Sequence, residues 1–186
     1  MTTGSTTQGH PPALRQLILA AERPDARPFE LRRFEAAESA LAAAPHFAFL
    51  IDLWRSRRGA CALPDWADVE FPDFRGWHSA LLLSDLPDET PDPRFRLIGE
   101  DYRVLQDSSL PGRRFSDVMP RLYARQFRAH FEAIRDGGLI GLTTGPAAFV
   151  GREHLHLSIL ELPFRAGGTG VQRLLHALRV GASAQP

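Results

Sequence analysis

The chain contains no lysine: all 22 of its basic residues are arginine. Schiff-base chemistry, anchoring of pyridoxal phosphate and the lysine of a P-loop each need a side-chain amine, so all three are excluded. Cysteine is almost absent too, with Cys61 alone. A single thiol excludes an intrachain disulfide and any zinc site that takes two or more thiolates from one chain. It also suits a reducing, cytoplasmic compartment, which is the expected location. Neither sign of charge is in excess, since 22 acidic residues balance the arginines. Nucleic-acid binders ordinarily carry a basic surplus, so nucleic acid is disfavoured as a partner. Long apolar runs are missing as well. The longest, around Phe47 to Ile51, is bounded by Pro45, His46 and Asp52, far short of the roughly 20 residues of a membrane-spanning helix. The opening MTTGSTTQGHPP has neither a charged n-region nor an apolar h-region, so no signal peptide and no membrane association are expected.

Hydrophobic residues make up 44% of the 186 positions, enough for one packed domain with extensions. Residues 1–28 read as a flexible N-terminal segment, polar up to Pro12, with a short helix candidate at Ala13 to Glu22 and breaks at Pro24 and Pro28. Residues 29–76 read as a helical extension and connector. Leu31, Phe34, Ala37 and Leu41 share one helical stripe between Phe29 and Ala44, and a second helix runs from His46 to Arg58 and stops at Gly59. Leu63 to Gly76 is an extended, proline-punctuated connector carrying Trp66, Phe71 and Phe74.

Residues 77–186 read as the core domain. Strands are predicted at Trp77 to Leu86 and Arg94 to Ile98, separated by a loop with three prolines and three acids. A helical turn follows from Asp101 to Gln106. A long helix then starts at Ser116 or Asp117, tolerates Pro120 in its first turn, and ends near Asp136 at Gly137-Gly138. Three further strands are placed at Leu139 to Thr144, Glu153 to Phe164 and Val171 to Val180, although the last also fits helical spacing. The loop Gly167-Gly168-Thr169-Gly170 reads as a hairpin, because no lysine or helix N-terminus follows it.

Several of these pieces have a familiar order: Leu53-Trp54, Gly59, Leu63-Pro64, Asp68 and Phe71-Pro72; then Leu81 to Asp85, Phe95-Arg96-Leu97-Ile98-Gly99, Gly112-Arg113 with Phe115, and Leu160-Glu161-Leu162-Pro163. In that order, from about Phe47 to Val180, the chain resembles the PAS-like domain family of small standalone bacterial proteins, mostly alphaproteobacterial. It departs from the family at Glu100 and Pro111, where threonine is usual. The resemblance implies an α+β fold, with a five-stranded antiparallel sheet carrying helices on one face and an N-terminal helical extension. It also implies a sensory or regulatory role without catalysis.

A bent sheet roofed on one side leaves a hollow that fills with side chains or admits a ligand. Phe95, Tyr102, Phe127 and His130 are the candidate lining residues. His154, His156 and Ser158 alternate along one strand and share a face. They join the lining if that face turns inward, and the same two histidines are a weak candidate metal pair. Their parity conflicts with the apolar residues around them. Leu155, Leu157 and Ile159 suggest one core face, whereas Leu160, Leu162 and Phe164 suggest the other. A bulge near Ser158 to Leu160 is the expected resolution.

His130 on an apolar helix face invites comparison with a haem ligand, but a lone histidine there is ordinarily a packed residue. Flavin–thiol photochemistry lacks a core cysteine, since Cys61 precedes the first strand. No cofactor is therefore required. Arg121, Arg125, Arg128 and Arg135 form a basic stripe broken by Glu132, able to hold a phosphate or an acidic partner, or merely to face solvent. No nucleophile–base–acid set is visible. The apolar stripe of the N-terminal helices needs cover, either on the chain's own sheet or in a homodimer. The expected function is a ligand-binding sensory module acting through dimerisation or a partner signalling protein. The alternatives are a ligand-free interaction scaffold and a metal-dependent enzyme using His154 and His156.

Overall fold

Apolar residues in the segments after Gly76 pair into a sheet that the N-terminal segment then extends. The computed structural model describes residues 29–105, 110–119, 121–147 and 155–182. The strands are β1 (Glu30–Phe34), β2 (Leu81–Asp85), β3 (Arg94–Ile98), β4 (Ile140–Pro146), β5 (Leu155–Phe164) and β6 (Arg173–Ala182). They form one antiparallel sheet in the order β1-β4-β5-β6-β2-β3. The helices are α1 (Ala37–Ala43), α2 (Ala48–Arg58), α3 (Glu100–Leu105), α4 (Phe115–Val118) and α5 (Arg121–Gly137). The α+β class holds, and the ambiguous C-terminal segment is a strand. Calls on residues 1–28, on Gln106 and on Glu153 and His154 lie outside the described residues.

Several expectations are corrected. The sheet has six strands rather than five, because Glu30–Phe34, expected as the start of a helix, is strand β1. Glu, Leu, Arg and Phe suit either state. Pairing with β4, from Glu30 opposite Thr144 to Phe34 opposite Ile140, decides the matter. Its charged residues Glu30, Arg32 and Arg33 also suit an outer strand, where they discourage further pairing. Only the second half of the predicted helix, α1, is helical.

Next, helices cover both faces of the sheet. Ala37, Ala40, Phe47, Leu50, Ile51 and Trp54 of the N-terminal helices and the turn between them are buried. The Trp54 indole N–H donates to the Pro163 carbonyl at 2.7 Å. His46 meets Ser158 at 3.2 Å, and Trp66 packs edge-on against Phe164 with ring centroids 5.2 Å apart. These residues are covered by the chain's own sheet, one of the two covers expected for the N-terminal helices. The other face carries α3, α4 and α5. A strand covered on both sides loses its alternation, which accounts for the parity conflict in β5. No bulge is present there: β5 pairs in continuous register with β4 and β6. A register shift falls instead between Leu83 and Ser84 on β2.

Finally, the long helix is two helices. Met119 between them is extended, with φ −93° and ψ 144°, because a residue that precedes proline is pushed out of the helical region. Helix α5 ends where Gly138 takes φ +63°. Among the described residues, no helix is long and apolar enough to cross a membrane.

Candidate functional site

Between the sheet and helices α3–α5 lies a cavity of about 80 Å³, room for several waters or a small organic molecule. Its wall is aromatic: Phe29 before β1, Phe95 from β3, Phe115 from α4, and Tyr123, Phe127 and Phe131 from α5. These rings lock one another edge-on or tilted. Phe29–Tyr123 centroids are 5.2 Å apart and Phe115–Phe127 5.0 Å, so the wall is preorganised. The floor consists of Leu82, Leu157 and Ile159 with a polar centre of Thr143, Glu161 and His176.

Register assembles that centre. Glu161 stands opposite His176 on β6 and Gly141 on β4. The Thr143 hydroxyl donates to Glu161 Oε1 at 2.6 Å. The second carboxyl oxygen, Oε2, lies 3.6 Å from Nε2 of the fully buried His130. Arg33 of β1 reaches Nδ1 of His130 at 3.5 Å. A guanidinium only donates, so Nδ1 is the acceptor in that contact and Nε2 is the ring nitrogen turned toward Glu161. Gly141 makes this approach possible. A β-carbon there would sit 2.6 Å from Glu161 Oε2, 2.7 Å from Ile134 Cδ1 and 3.0 Å from His130 Nε2.

His176 meets the Ser84 hydroxyl at 2.8 Å. Burial pushes its imidazole down to about 4, against the partial opposition of Glu161, and His130 adds to the lowering. His176 is therefore neutral near pH 7. Burial raises the Tyr102 phenol well above its ordinary value, and the charge of Glu161 raises it further. The phenol keeps its proton and is a donor. Three buried polar atoms of this cluster have no hydrogen-bond partner among the described residues: Tyr102 Oη, His130 Nε2 and Glu161 Oε2. Such atoms cost free energy unless something fills their need.

The depressed His176 predicts a pH dependence. The unfolded chain takes up a proton near the ordinary imidazole value of about 6.5, the folded chain only near 4. Between the two the unfolded state binds more protons, so stability falls as pH is lowered through that window. The full shift is worth roughly 3 kcal/mol. Urea midpoints at pH 7 and pH 4.5 should differ less in His176→Gln than in the parent chain. An unchanged difference would remove His176 as the source.

The structure distributes the sequence candidates unevenly. Phe95, Tyr102 and Phe127 line the cavity, and His130 stands beside Glu161. His156 is exposed and Ser158 faces His46 on the opposite side of the sheet, so an inward turn of that face does not occur at these two positions. His154 lies outside the described residues, and among the described residues no group of three His, Cys, Asp or Glu could hold a metal ion. Arg121, Arg125 and Arg128 line a separate outer groove, whereas Arg135 pairs with Asp136 at 2.7 Å.

Sequence reasoning missed Glu161, Thr143, His176 and Ser84 as site residues. The signal lay in Glu161, which shares its parity with Leu157 and Ile159, and in His176, embedded in the apolar run LLHAL. The cavity offers shape, an acceptor-capable oxygen of Glu161 and the Tyr102 hydroxyl as a donor, a set suited to binding. No family model, no curated protein and no solved structure matches the chain.

Proposed function

We propose that the chain is a non-enzymatic sensory module of PAS-like type that binds a small, single-ring or similarly compact apolar molecule carrying a hydroxyl group. The observation that carries this reading is an aromatic-walled cavity lined by two residues with buried polar atoms that have no hydrogen bond, Tyr102 Oη and Glu161 Oε2, with His130 Nε2 set 3.6 Å from Glu161 Oε2 outside the lining. The phenol donor and the carboxyl oxygen that line the cavity are complemented by a group that both accepts and donates, as a hydroxyl does. An ammonium would leave the Tyr102 donor unmet, and a carboxylate would oppose Glu161. The PAS-like part is supported by the succession of hairpin, short helices, long helix and three antiparallel strands. The signal would leave through β5, which faces the cavity at Glu161 and takes the Trp54 hydrogen bond at Pro163, toward α2 and whatever partner reads that surface.

Tyr102→Phe separates this reading from a scaffold whose cavity merely holds water. Removing an unsatisfied buried hydroxyl should leave the unliganded protein as stable or up to about 1 kcal/mol more stable, while binding of phenol weakens about three- to tenfold. Calorimetric titration should also show phenol binding more tightly than benzene. Equal affinity for the two, or a Tyr102→Phe chain that is destabilised with unaltered phenol binding, would dispose of the proposal.

A further inference from the structure

The outer side of α5 carries a second concavity, independent of the cavity reading. It has a volume of about 310 Å³ and is bounded by Arg121, Arg125 and Arg128, by Thr90 to Asp92 of the loop before β3, and by Phe115 and Phe131. Both rings are almost fully buried, so they close its bottom with an apolar surface. The arginines stand at i, i+4 and i+7 and therefore share one stripe, about 10 Å from first to last.

All three are exposed, and none has an acidic partner among the described residues. Some arginines elsewhere on the surface do, among them Arg55 with Glu38 and Asp52, Arg57 with Asp73 and Arg96 with Asp85. The acid that lines the groove, Asp92, is engaged at both oxygens, by the Ser116 N–H at 3.0 Å and the Ser116 hydroxyl at 2.6 Å. In a chain of zero formal charge, three guanidinium groups and one carboxylate, Asp92, thus share one hollow, which is left net positive.

We infer that this groove binds an organic phosphate of about nucleotide size. The arginine forks match phosphate oxygens in pairs. The apolar bottom takes a planar or apolar portion, and a concave shape suits a compact ligand better than a protein surface. An acidic peptide has the charge but no use for the buried rings.

Calorimetric titration of the full chain with AMP, adenosine and an oligoglutamate peptide tests this. AMP should bind at least about tenfold more tightly than adenosine, and the affinity should fall at least about tenfold in Arg121→Gln/Arg125→Gln/Arg128→Gln. The triple Arg→Lys variant, which keeps the charge and loses the fork, should fall between the two. Because the three side chains are exposed, circular dichroism and Tm should be unchanged in both variants. Tyr102→Phe should leave AMP binding untouched, so failure of the cavity reading is distinguishable. The inference is overturned by AMP binding no better than adenosine, by an affinity indifferent to the glutamine triple, or by oligoglutamate binding more tightly than AMP.

Discussion

Trp54→Ala should lower the stability of the fold by about 3–5 kcal/mol, the usual range for removing a buried large aromatic side chain. Trp54 is 2% exposed, and its ring is the largest fully buried group by which α2 grips the sheet. Truncation removes apolar contact and leaves a void, because the helix and the strand face relax only in part. It also orphans the Pro163 carbonyl, which now accepts the indole N–H at 2.7 Å. Trp54→Phe keeps most of the ring and loses the hydrogen bond, so it should cost about 1–2 kcal/mol. Urea unfolding checks both through the midpoint, with the slope unchanged. A cost below about 1 kcal/mol for the alanine variant would mean that α2 does not pack on this face. The covered stripe would then be free again to serve another copy of the chain.

Gly99→Ala should cost about 3 kcal/mol, at the upper end for forcing an atom into filled space. A β-carbon on Gly99 would overlap the Ser79 carbonyl oxygen and stand 2.7 Å from that of His78. Both obstacles are backbone, and they cannot swing aside as a side chain can. Retreat is blocked as well, because the Gly99 N–H donates to the Leu81 carbonyl at 2.7 Å. This bond fastens the end of β3 to the turn that begins β2. Gly112 makes an instructive contrast. It has φ +86° with open space where a side chain would go. Alanine there meets only the left-handed backbone penalty, about 1–2 kcal/mol. Thermal unfolding of the two variants side by side should therefore rank Gly99→Ala as the more damaging. Equal costs would show that the turn at His78 to Ala80 does not press against Gly99.

These two glycines were legible in the sequence as punctuation, and so was much of the core. Strand β3, helix α2 and the end of α5 at Gly138 follow from local pattern and turn chemistry, whereas of the strand expected over Trp77 to Leu86 only Leu81–Asp85 forms, His78–Ala80 being a helical turn. What eluded the sequence was decided by partners far away in the chain. Nothing within Glu30–Phe34 distinguishes a strand from a helix start, since the deciding hydrogen bonds come from β4. The break at Met119 was readable from Pro120, whose effect on its predecessor outweighs its tolerance inside a first turn.

The site was the harder part. A carboxyl at position 161 looks like a fault in an apolar pattern until both faces of the sheet are seen to be covered. Thr143 and His176 become its neighbours only through register. The alternating histidines drew notice because of their spacing, yet His156 ends on the far side, exposed. Residue type found Tyr102, Phe127 and His130, and pairing found the rest.

The first strand has a kinetic meaning. Glu30 finds Thr144 more than a hundred positions later, so β1 closes the longest loop in the sheet and docks at a high entropic cost for five residues of pairing. It brings with it Phe29, whose carbonyl is held by Gln126 at 2.7 Å, and Arg33, which holds His130. Short peripheral elements of this kind detach at a fraction of the global unfolding energy. Fraying of residues 29–34 would carry Phe29 away from the cavity wall, and amide exchange at those positions would time it.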